Sequence, residues 1–162
     1  MTEIVELGHV GIHVTDLPRM REFYTTVLGL TVTDEDPGNG RVFLSSRPHF
    51  EHHELLLATG RNTPEDIVLV QQVSWRVGSI AGLQALHRRL VNAAAEIKYV
   101  ITHGNALAVY FRDPENNHCE VYFHTGLDVP QPFRRGISLE GSAEELLAEN
   151  RRIVDEAQAA AR

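Results

Sequence analysis

Val70–Val77 reads VQQVSWRV, and its alternation decides the fold because the chain has already used the same pattern once. Gln72, Ser74 and Arg76 alternate with Val73, Trp75 and Val77, the period-2 signature of a half-buried strand. Leu7–Val14 alternates His9, Gly11 and His13 with Val10, Ile12 and Val14 in the same way. Each strand leads into a helix. Asp16 and Pro18 open the first, with Met20, Phe23, Tyr24, Val27 and Leu28 as its apolar stripe up to Gly29. Ser79 caps the second, which carries Leu83, Leu86, Leu90 and Val91.

Three strands are expected after each helix. Leu30–Thr33, Arg41–Ser45 and His52–Ala58 follow the first, separated by the turn-rich Asp34–Gly40 and by Arg47–Glu51 with its proline. After the polar connection Gly60–Glu65 come, behind the second helix, Ile97–Ile101, Ala106–Phe111 and Cys119–Phe123, with His103, Gly104 and Asn105 in a turn. Strand, helix and three strands, given twice, predict an α+β fold of two βαβββ modules. The modules span about 4–60 and 68–125 of a single paired domain over 1–128, curled into an open mixed-sheet barrel around a cleft. Over 129–162, Pro130 and Pro132 favour an extended segment. Ser142 with Glu145 then makes a capping box for a last helix running to about Ala160. Its few apolar positions, Leu146, Leu147, Ile153 and Val154, predict packing on the body or on a second subunit of a homodimer.

The composition narrows the partners. A net charge of -7 over 162 residues, with basic residues scattered, leaves no footprint for nucleic acid or an anionic membrane, so a small molecule is the expected ligand. One cysteine excludes an internal disulfide and any thiolate zinc cluster, as suits a cytoplasmic protein. No apolar run approaches the roughly 18 residues a membrane span needs, and MTEIVELGHV lacks the features of a signal peptide.

Tyr110–Phe123, YFRDPENNHCEVYF, is where chemistry enters. Asp113-Pro114 starts a turn and Asn116-Asn117 tolerate the left-handed conformation, so the flanks pair as antiparallel strands. Alternation sets Glu120 on one face with His118 and Tyr122, and an inward carboxylate is costly unless it is paired or bound to a metal. The same alternation and the repeat put His9, His53, Gln72 and Glu120 inward, His9 and Gln72 being the same position in the two modules. Two histidines and a carboxylate with open positions suit non-haem Fe(II); Zn, Ni, Co or Mn would also accept His, Gln and Glu. Tyr110 is inward by parity, either core or a contact for a substrate oxygen. His13, His118 and His124 share that parity with nothing else to select them, and His52 and His87 read as surface.

GHVGIHVTDLPRMREFYTTVLGL, EHHELLLATG and THGNALAVYFRDPENNHCEVYF resemble the vicinal oxygen chelate superfamily, and within it the small single-domain extradiol ring-cleavage dioxygenases. The resemblance runs from about Leu7 to Leu139, including VPQPFRRGISL. It implies His9 and Glu120 as metal ligands, Tyr110 as the contact to a substrate oxygen, and His53 as acid/base catalyst. His103 lies near the place of a further active-site histidine. The implied activity is cleavage of a catechol-like aromatic diol by O2, with Fe(II) as cofactor. One departure stands out: Gln72 occupies the position of the dioxygenases' second histidine ligand, and the glyoxalase branch uses glutamine, histidine and glutamate. Two arrangements follow, one with His53, His9 and Glu120 on the metal, the other with His9, Gln72 and Glu120 and His53 left to move protons. A non-oxidative lyase or isomerase and a metal-free small-molecule binding protein are the alternative readings.

Overall fold

Strand β1 (Val10–Val14) forms where the alternation predicts it, with Ile12 and Val14 buried and Gly11 and His13 exposed. The computed structural model describes residues 6–64, 67 and 70–160. The expected module starts near 4 and 68, and the end of the polar connection at Glu65, lie outside the described residues. The chain divides into two compact units, Met1–Ile67 and Val68–Arg162.

In the first unit, Asp16 accepts a hydrogen bond from the Arg19 amide at 3.0 Å and starts α1 (Leu17–Glu22) with Pro18 in its first turn. The helix does not continue regularly to Leu28. Phe23–Val27 is a π-helical turn, and the Thr25 and Thr26 hydroxyls donate to carbonyls of the preceding turn, Thr26 to Glu22 at 2.7 Å. Strands β2 (Thr31–Asp36), β3 (Arg41–Ser45) and β4 (Leu55–Thr59) follow, in the order β1-β4-β3-β2, with β1 and β4 parallel and the other pairs antiparallel.

The fourth strand starts later than the sequence predicts. His53 was expected inside the fourth strand, but the strand begins at Leu55; Glu54 instead folds back to hold the Ser46 amide and Arg47, which keeps His52 and His53 in the turn. Within the strand Leu55 and Leu57 are the buried pair, in register with Val10 and Ile12, and Leu56 is half-buried. The run Leu55-Leu56-Leu57 has no alternation of its own, so side-chain parity could not be read from it.

The second unit repeats the plan. Strand β5 (Val73–Arg76) is followed by α2 (Ile80–Asn92), capped by Ser79 and buried along Ile80, Leu83, Leu86 and Leu90. Then come β6 (Ile97–Thr102), β7 (Ala106–Arg112) and β8 (His118–His124). A short strand the sequence did not announce, β9 (Arg135–Gly136), adds to β6 and gives the order β5-β8-β7-β6-β9. Again the first strand pairs in parallel with the last of the meander, β5 with β8. In the turn between β7 and β8, Asn116 takes φ 64° and the Asp113 carboxylate accepts from the amides of Glu115 and Asn117.

Helix α3 (Ala143–Ala160) opens with the expected reciprocal capping box: the Ser142 amide donates to Glu145 at 2.7 Å and the Glu145 amide to the Ser142 hydroxyl at 3.2 Å. Its buried stripe is Leu146, Asn150 and Val154, an i, i+4, i+8 row with an amide in the middle. Asn150 is fully buried; its Nδ2 donates to the Gly104 carbonyl at 2.8 Å and its Oδ1 accepts from Thr102. The last helix is thereby fastened to the turn that carries His103. Among the described residues no helix is long and apolar enough to cross a membrane.

Candidate functional site

Each unit places its polar side chains where a strand enters the ladder. His9 immediately precedes β1, and His53 lies two residues before β4, the strand with which β1 pairs in parallel. Their rings meet at 4.2 Å between centroids, tilted by 41°. Burial first, then the neighbouring His9 and His52, hold His53 below the ordinary histidine value, so it is kept neutral with a lone pair to offer. Its Nδ1 is 2.9 Å from Nδ1 of His52, so one of the two rings donates and the other accepts. His52, read from the sequence as surface, is a partner of the candidate residue, and its Nε2 stands 3.8 Å from Asp34. No sequence signal beyond its adjacency to His53 could have shown this. His13 binds the Thr59 carbonyl at 3.0 Å, a structural use.

In the second unit a single row of residues crosses the sheet. Tyr99 on β6 is the register partner of Tyr110 on β7, Tyr110 that of Glu120 on β8, and Glu120 that of Ser74 on β5. Partners in a row share a face, so four strands present an aromatic ring, a phenol, a carboxylate and a hydroxyl side by side. Glu120 is 7% exposed, and burying its charge is tolerable because donors converge on it. Its Oε2 accepts from Ser74 Oγ at 2.6 Å and from Gln72 Nε2 at 3.1 Å, and Tyr110 stands beside it as its register partner on β7. Gln72, just ahead of β5, therefore turns its amide nitrogen to the carboxylate and leaves its oxygen for another partner. Ser74 was passed over in the sequence, where a hydroxyl on the polar face of a strand carries no mark.

Burial, and then the hydrogen bond and charge of Glu120, push the Tyr110 hydroxyl well above the usual tyrosine value of 10.0, with Arg134 pulling weakly the other way. Tyr110 also reaches His103 Nε2 at 3.1 Å, while His103 Nδ1 is 2.7 Å from the Phe133 carbonyl. A carbonyl can only accept, so Nδ1 carries the hydrogen and Nε2 of the neutral ring accepts the tyrosine proton. A protonated His103 would instead donate to Tyr110 and turn the phenol's hydrogen toward Glu120. The phenol thus sits between a base and a carboxylate, each able to take its hydrogen. His118 packs beside Tyr110 at 5.5 Å, and its buried Nε2 has no hydrogen-bond partner.

The expected ligands therefore appear as a pair in each unit, His9 with His53 and Gln72 with Glu120. Among the described residues no three His, Cys, Asp or Glu side chains form a ready group for a metal ion. The donor chemistry nonetheless fits a divalent ion, since neutral imidazoles, an amide oxygen and a carboxylate are all on offer.

Residues 6–121 match the family model described as Glyoxalase/Bleomycin resistance protein/Dioxygenase superfamily. The chain belongs to this superfamily. Among curated proteins it is 29% identical over 143 residues to a 1,2-dihydroxynaphthalene dioxygenase of Pseudomonas putida, which covers 85% of this chain and 45% of that protein. It is 25% identical over 133 residues to a manganese-dependent 2,3-dihydroxybiphenyl 1,2-dioxygenase of Geobacillus genomosp. 3, covering 80% and 39%. The chain thus spans less than half the length of these relatives. Among solved structures, a lactoylglutathione lyase from Agrobacterium tumefaciens superposes with a TM-score of 0.58 at 20% identity, covering 75% of this chain and 96% of that one, a likeness of fold. The superfamily's dioxygenase relatives agree with the family read from the sequence.

Proposed function

We propose that the chain is a metal-dependent extradiol-type dioxygenase that cleaves a catechol-like aromatic diol with O2. The observation that carries this reading is Tyr110, held between His103 and Glu120 in a relative of diol dioxygenases. A diol must lose protons to chelate a metal, and a phenol with a base on one side and a carboxylate on the other can accept a hydrogen bond from the substrate or return one.

His9 and Glu120 would hold the metal, with His53 or Gln72 completing the set, and His53, when not a ligand, would serve as acid/base. Fe(II) is the metal proposed, in keeping with N and O donors and vacant positions; the manganese of one relative shows that the superfamily's diol chemistry is not confined to iron. When bound, the metal supplies a Lewis-acidic centre that orients the diol and admits O2. The protein's residues do the rest. Ser74 and Gln72 hold Glu120 in place, His103 sets the direction of the Tyr110 hydrogen, and neutral His53 offers a lone pair. We place the protein in the cytoplasm as a homodimer, a state that light scattering over a concentration series would test.

Oxygen uptake by anaerobically metal-loaded protein on adding catechols is the direct assay. Uptake with appearance of a ring-opened product is expected with Fe(II), and none with any catechol would overturn the reading. His53→Ala separates the two ligand arrangements: as acid/base its loss lowers turnover by roughly 10²- to 10⁴-fold with metal retained, whereas as ligand its loss empties the site. A second reading is favoured by Gln72, whose neutral amide stands where a histidine is expected and binds Glu120. In that reading the enzyme is a non-oxidative lyase or isomerase, and Gln72→Ala would remove metal without any oxygen chemistry to lose.

A further inference from the structure

The row that contains Tyr110 and Glu120 does not end at Tyr99. Just before β9, Arg134 lays its guanidinium over the Tyr99 ring at 4.2 Å from the centroid, and Tyr99 meets Tyr110 edge-on at 6.2 Å. The cation is exposed and, among the described residues, has no carboxylate partner. A stacked guanidinium keeps its N–H edges available while the ring holds its plane, the geometry that suits a carboxylate.

Its position is built rather than incidental. The Phe133 carbonyl receives the His103 N–H at 2.7 Å, the Gln131 side chain donates to the His103 carbonyl at 2.8 Å, and Arg135 pairs with Thr102 across β6. The same contacts that orient His103 therefore fix the backbone on both sides of Arg134. Arg135 itself is occupied, stacked near Phe133 and donating to the Arg134 carbonyl at 2.8 Å. Strands in a sheet are spaced by about 4.8 Å, and the Arg134 guanidinium lies over Tyr99 on β6, the strand next to that of Tyr110, a reach that suits one aromatic ring with a short substituent.

We infer that the diol carries an anionic substituent, a carboxylate, and that Arg134, stacked on Tyr99, selects it. This rests on the ring-cleavage reading above and names the substrate class of that site. The cross-strand row then reads as a ruler, with the diol oxygens at Tyr110 and Glu120 and the carboxylate at Arg134.

The test is equilibrium binding to protein loaded with Zn(II), which has no redox chemistry and so no turnover. Dissociation constants of 3,4-dihydroxybenzoate and of catechol are measured by calorimetry for the native protein, Arg134→Gln and Arg134→Lys. The readout is the ratio of the two constants. The carboxylated diol is expected to bind roughly tenfold tighter to the native protein, the worth of one charge-assisted contact. The ratio is expected to fall below about twofold in R134Q, to survive in part in R134K, and to shrink as salt is raised. Equal binding of both diols to the native protein, or an unchanged ratio in R134Q, overturns the inference and leaves the ring-cleavage reading standing. Failure of every diol to bind overturns that reading, and this inference with it.

Discussion

At the scale of single residues, the hydrogen bonds on Glu120 say what each neighbour is worth. Ser74 Oγ makes the shorter contact with Oε2, 2.6 Å against 3.1 Å for Gln72, and comes from the register partner of Glu120. Ser74→Ala is therefore expected to leave the fold intact and to weaken metal binding about 10- to 100-fold, as loss of a group that orients a ligand does. Competitive titration against a chelator dye would measure it, and an unchanged affinity would remove Ser74 from the site. Alternation in a hairpin was enough to put Glu120 and Tyr110 on one face, whereas the family resemblance alone singled out His103. Ser74, His52 and the Phe133 carbonyl were not legible, since a hydroxyl, an exposed imidazole and a backbone oxygen gain meaning only from what lies opposite them.

At the scale of elements, the fold was read well where alternation or caps were strong, as in β1, β3, α2 and the capping box of α3. It was missed where the backbone departs from a regular period. The π-helical turn keeps the apolar stripe of a helix, and the two residues of β9 are too few to show a pattern. Asn150 escaped for another reason, because a buried asparagine on a helix looks like a solvated one until its partners are known. Helix α3 depends on it. Asn150→Ala removes the bonds to Gly104 and Thr102 and leaves both without that partner, which should cost about 1 to 3 kcal/mol. Urea denaturation would show the loss as a lower midpoint. Gly104 reinforces the same junction, since at φ +76° a side chain would also strike Val129, 2.7 Å from the added carbon.

For the whole molecule, the histidines set how stability responds to acid. His53, His87 and His118 all lie below the ordinary value of 6.5, burial being the first cause in each. On acidification the unfolded chain takes up these protons first, so their stabilising contribution is complete above the unfolded value and falls as pH drops below it. The carboxylates Glu54 and Asp36 are lowered instead, by their hydrogen bonds to Ser46 and Asn39 against the opposing cost of burial, and their share is lost only below about pH 4.5. Thermal unfolding of metal-free protein should thus show Tm beginning to fall as pH drops below about 6.5, before the carboxylates are reached; a flat Tm there would contradict the histidine environments. Both sheets also share one trait: β1 meets β4, and β5 meets β8, only across about 45 residues of chain. Closing so long a loop costs entropy before the contact repays it, whereas the β2-β3-β4 and β6-β7-β8 meanders join neighbours. The strands that position His9, Gln72 and Ser74 are therefore expected to dock last during folding. Ile12→Val should mainly speed unfolding, while Val109→Ala, in a meander, should mainly slow folding in stopped-flow chevrons. Each unit would then assemble its scaffold before the segment that carries its chemistry, and a newly made chain would acquire its donors only once there was a sheet to receive them.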